Sequence, residues 1–128
     1  MSQRWMAAGS LGGMIGVMLG AFGAHALKGH LPPASLELWD TAVRYQMTHS
    51  VVLLFVGLMA ARHPQSATLA WSARMMISGI LLFSGSLYLL AAFGARWLGA
   101  VTPLGGICFI LGWLLLLGAS GSAAFHEP

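Results

Sequence analysis

The sequence predicts an all-α integral membrane protein: one domain, residues 1–128, folded as a four-helix bundle with a short interfacial segment between helices 1 and 2. Three observations lead there. Of 128 residues, 58% are hydrophobic and 7% are charged, with a mean hydropathy of +0.81, whereas soluble domains carry roughly 25% charged residues. The apolar residues gather in four long blocks, the pattern of membrane spans. The six Lys and Arg residues are scattered near the block boundaries, which suits helix ends meeting lipid headgroups and argues against nucleic acid as a partner.

The first span is expected from about Trp5 to Leu27. Arg4, the apolar run and Ala24-His25-Ala26 also resemble a secretory leader with its small-x-small cleavage site. The run is longer than the roughly 7–15 residues of such leaders and rich in glycine, so it is expected to stay as a span. Gly12, Gly16, Gly20 and Ala24 stand four apart and draw a small-residue stripe down one helix face. Such a stripe lets backbones approach closely, either a partner's or another helix of the same chain. Pro32-Pro33 then bars helix continuation. Ser35 is placed to cap a helix starting near Leu36, and Leu36, Leu38 and Trp39 suggest a segment lying along the interface.

The second span poses a length problem. VVLLFVGLMAA, residues 51–61, would cover only about 16 Å of helix against a hydrocarbon core of roughly 30 Å. A re-entrant stub would need shielding for its ends. The helix is therefore expected from about Thr41 to Arg62, drawing the polar run WDTAVRYQMTHS into the bilayer. The third span is expected at 71–93 and the fourth at about 99–119, followed by a short frayed tail. Trp5, Trp71 and Trp97 fall at span ends, as interfacial anchors do. Cys108 lies in an apolar run and reads as an inert buried thiol.

At about 100° per residue, Glu37, Thr41, Arg44, Tyr45, Thr48 and His49 share one broad face of the second helix. Gln46 and Ser50 lie nearer its back. Asp40 and Arg44 have the i,i+4 spacing of an acid–base pair. A hairpin between the first two spans would bring His25 to the depth of Arg44 and Tyr45, and Gly20 to the level of His49. His25, Arg44, Tyr45, Gln46 and His49 thus form a candidate polar pocket. It could serve a proton, an ion, a quinone-like head or a lipid head group, because ionisable groups inside a membrane are usually functional. The bland alternative is a hydrogen-bonded clasp between helices 1 and 2. No metal is expected, since two histidines lack a third ligand at fixed spacing, and no cofactor motif occurs.

The runs GAFGAHALKGHL at 20–31 and WDTAVRYQMTHSVVLL at 39–54, with SGILLFSGSLYLL at 78–90 and TPLGGICFILGWLLL at 102–116, resemble the membrane family called domain of unknown function 423. Animal transmembrane protein 256 is a relative of that family. The resemblance covers nearly the entire chain. It implies four helices in the bacterial inner membrane and a retained first span. Its motif residues here, His25, Tyr45, Gln46 and His49, bring no assigned role.

Two functional readings follow. The first is a non-enzymatic oligomeric or accessory membrane component, a homo-oligomer or a subunit of another membrane protein, packed through the Gly12, Gly16, Gly20 and Ala24 face. The second is a small transporter or lipid- or quinone-binding bundle that uses the polar pocket. An enzyme is not expected: the chain lacks a recognisable nucleophile–base pair and two embedded acids. Counting Arg44 within its helix leans the flanking charges towards both termini in the cytoplasm, and a dual-topology dimer fits nearly the same count.

Overall fold

The computed structural model describes residues 1–121; most of the expected tail lies outside the described residues. Four stretches are long and apolar enough to cross a membrane. Helix α1 is Ser2–His25, α2 is Pro33–Arg62, and α3 (Ala67–Gly79), a π-turn (Ile80–Ser84) and α4 (Gly85–Phe93) run on as one third span. Helix α5, Leu98–Ser120, is the fourth.

Each boundary has a local cause. After α1, Gly29 takes a φ of 90°, a conformation open to glycine without steric cost. Pro32 then caps α2 and Pro33 is its first helical residue, where a missing N–H costs nothing. This corrects the expected cap at Ser35: the helix starts earlier and runs without a break through the polar stretch. Ser66 caps α3 by accepting the Leu69 N–H at 3.3 Å. Gly94, at φ 68°, closes α4 in the left-handed conformation.

Helix α1 packs mainly on α2, α2 on the third span, and the third span on α5. The order resembles a row more than a ring. Near the termini the row is held by an apolar core that includes Leu53, Val56, Leu69, Ala73 and Met76. Towards the other membrane face, side-chain hydrogen bonds take over. Ser84 donates to the Ala42 carbonyl at 2.8 Å, and Ser86 and Thr102 share a bond of 2.6 Å. Hydrogen bonds of this kind join helices where lipid supplies no hydrophobic push.

The small-residue stripe of α1 is occupied by the chain's own α2. A Cβ added at Gly12 would strike the Ser50 hydroxyl, and one at Gly16 would come within 2.5 Å of Met47 Sδ. At Gly20 the neighbour is Val43 and at Gly23 it is Trp39. The proposed face for a second copy through Gly12, Gly16 and Gly20 is thus corrected to an internal helix–helix seam, and Ala24 at its end is exposed.

Candidate functional site

Helix α2 carries polar residues on two faces, and the fold uses them differently. The face towards α1 is a clasp. Trp39 Nε1 donates to the Leu19 carbonyl at 2.9 Å, and Gln46 Nε2 donates to the Gly12 carbonyl at 2.8 Å. Tyr88 of α4 donates its hydroxyl to Gln46 Oε1 at 2.8 Å, so one amide ties three spans together. Trp39, expected along the interface, is buried against the other helices; Gly23 leaves room for its ring, which sits edge-on to Tyr88 at 4.7 Å. Ser50 Oγ is the buried side-chain polar atom without a partner among the described residues. A Cβ at Gly12 would collide with it.

The other face of α2 forms a groove of about 390 Å³, lined by Thr41, Arg44, Tyr45, Thr48 and His49. His49 closes its deep end. Its Nδ1 lies 2.7 Å from the Tyr45 carbonyl oxygen, which can only accept, so Nδ1 carries the proton. Its Nε2 lies 3.1 Å from Trp113 Nε1, and indole nitrogen can only donate, so Nε2 accepts. These two partners define one neutral tautomer. The ring also stacks on Phe109 at 3.6 Å between centroids, and Phe83, brought in by the π-turn, lies 4.4 Å from the Tyr45 ring. Solid-state ¹⁵N NMR of ring-labelled protein in bilayers should show a neutral His49 protonated at Nδ1. A His49 protonated at Nε2 alone would refute the geometry.

Both nitrogens of His49 are therefore committed to the fold, and neither has a lone pair left for a metal. The hydroxyls of Thr41, Tyr45 and Thr48, in contrast, make no hydrogen bond among the described residues. Arg44 pairs with Asp40 through Nε and Oδ2 at 3.1 Å. A polar track thus runs down the outside of α2, its hydroxyls unbonded among the described residues.

The structure brings together Arg44, Tyr45 and His49 from the expected pocket and leaves out the rest. Gln46 faces α1 and α4, in the clasp. His25 stands exposed at the end of α1, outside the groove. His49 turns away from α1 towards α5, so Gly20 does not sit beside its ring; the antiparallel seam sets Val43 there instead. Trp39, Tyr88 and Trp113 were not singled out as partners. Trp113 carried a signal, since an indole in mid-span rather than at an end needs an acceptor for its N–H.

The family model described as "Protein of unknown function (DUF423)" matches residues 19–106. A UPF0382 membrane protein of Staphylococcus epidermidis is 45% identical over 109 residues, covering 85% of this chain and 88% of the relative. The UPF0382 membrane protein YwdK of Bacillus subtilis is 40% identical over 112 residues, covering 88% and 91%. No solved structure matches. With a match over most of its length and such relatives, this membrane protein belongs to the DUF423 family.

Proposed function

We propose that this protein is a non-enzymatic component of the bacterial inner membrane that holds the polar head of a membrane-dissolved amphiphile in the α2 groove. The observation that carries this reading is the set of unbonded hydroxyls on Thr41, Tyr45 and Thr48 beside an ion pair, all on spanning helix. Hydrocarbon offers such groups no partner, and a polar side chain kept at that depth marks a site. The groove provides hydrogen-bond donors and one cation, but no nucleophile activated by a base, which suits binding or carriage rather than covalent chemistry. Both termini are placed in the cytoplasm on the flanking-charge count.

The oligomeric or accessory reading keeps a narrower support. Its glycine face is filled by α2, so a partner helix would have to cover the groove instead. Thr48→Val and Tyr45→Phe decide between the two, because each removes a hydroxyl that no helix of the chain uses. The expected outcome is loss of co-purifying amphiphile, read by mass spectrometry, with unchanged thermal unfolding and unchanged particle size in mild detergent. Unaltered amphiphile content in both variants would refute the binding reading, and a smaller particle would favour the partner.

A further inference from the structure

We infer that the head received by this groove is that of a zwitterionic aminophospholipid, with its phosphate on Arg44 and its primary ammonium on Asp40. This rests on the binding reading above. The ion pair brings Arg44 Nε to 3.1 Å from Asp40 Oδ2, with the side chains 70% and 67% exposed. That exposure leaves the guanidinium and the carboxylate open to a further partner. Guanidinium carries five donors in a fork that matches phosphate.

Depth suits a phospholipid in its ordinary orientation. Helix α2 has 30 residues, about 45 Å in length, against a hydrocarbon core of roughly 30 Å. With Arg62, after the apolar run 51–61, at one hydrocarbon edge, about 20 residues reach back to the opposite edge near Ala42, so Asp40 lies about 3 Å on its head-group side and Arg44 about 3 Å inside it. Thr48 follows one further turn down, about 6 Å below Arg44. Phosphate at Arg44 thus sets the ester carbonyls of the glycerol near the Tyr45 and Thr48 hydroxyls, with the tails running on towards the bilayer centre.

Charge selects among heads. Asp40 and Arg44 cancel, so a purely anionic head meets Arg44 but is repelled by Asp40. A zwitterion matches both and carries no net charge into low dielectric. An ammonium with N–H groups donates a charge-assisted bond to Asp40, which a trimethylammonium cannot do. Lys28 stands with Asp40 along a second groove beside the α1 seam, so an anionic lipid is the competing occupant.

The test is native mass spectrometry of the full chain offered equimolar phosphatidylethanolamine, phosphatidylcholine and phosphatidylglycerol. Phosphatidylethanolamine should be retained about tenfold over both others, the ratio expected from one charge-assisted hydrogen bond. Asp40→Asn should bring it down to the phosphatidylcholine level, and Arg44→Gln should lower all three. Arg44→Lys should restore phosphate binding, which separates a lost contact from a lost fold. Preference for phosphatidylglycerol, or equal retention unchanged by Asp40→Asn, overturns the inference. Displacement by soluble phosphoethanolamine at equal concentration overturns the lipid as source. If retention is unselective yet falls in Tyr45→Phe and Thr48→Val, the groove reading stands and only the head assignment fails; if no variant changes retention, both fail.

Discussion

Gly105→Ala is expected to cost about 3 kcal/mol or more of stability, while Gly118→Ala should change it by less than about 1 kcal/mol, towards greater stability. The contrast comes from what each new methyl group would meet. At Gly105 a Cβ would run into the Phe83 backbone nitrogen and lie 2.7 Å from the Leu82 carbonyl carbon and Phe83 Cα. These are atoms of the π-turn, Ile80–Ser84, whose backbone approaches α5 closely at Gly105. Backbone cannot rotate aside as a side chain can, so the third span and α5 would have to part. At Gly118 nothing lies within 4 Å, and alanine simply restricts the unfolded chain. Denaturant or thermal unfolding of both variants in the same lipid mixture measures the difference. Overlapping curves would show that the π-turn does not seat on Gly105.

His49→Ala is expected to destabilise the fold by about 3 kcal/mol, with an effect on ligand only as a consequence. The ring is 5% exposed, stacked on Phe109, and bonded at both nitrogens. Truncation leaves a ring-sized void and strands the Trp113 N–H. Helices α2 and α5 meet largely through these side chains, so their separation should follow, read as a lower unfolding midpoint and a red shift in tryptophan emission. A variant as stable as the parent but stripped of ligand would make His49 a contact residue of the site instead. Trp113→Phe, which removes the donor and keeps an apolar ring, should cost about 1 kcal/mol.

The architecture was legible because a bilayer imposes a length. Eleven apolar residues at 51–61 cannot cross it, so Thr41–Ser50 had to enter with them, and α2 does run unbroken from Pro33 to Arg62. Helical period also separated Gln46 and Ser50 from the face of Thr41, Arg44, Tyr45, Thr48 and His49. The same period says nothing about which neighbour each face meets. Hence His49 was placed beside α1 and found beside α5, while Gln46 was drawn into the pocket and found in the clasp.

Length, apolar blocks and the 3.6-residue period follow from backbone geometry and the cost of leaving peptide groups unpaired in lipid, and these are properties of the chain read alone. They sufficed for four helices, for a polar second span and for a close-packing first helix. The identity of each helix's neighbour depends on side chains meeting in three dimensions: α2 settling into the glycine seam of α1, a π-turn against Gly105, His49 held between Tyr45 and Trp113. Only that arrangement shows which polar groups the fold consumes and which it leaves open, in the groove of Arg44, Tyr45 and Thr48.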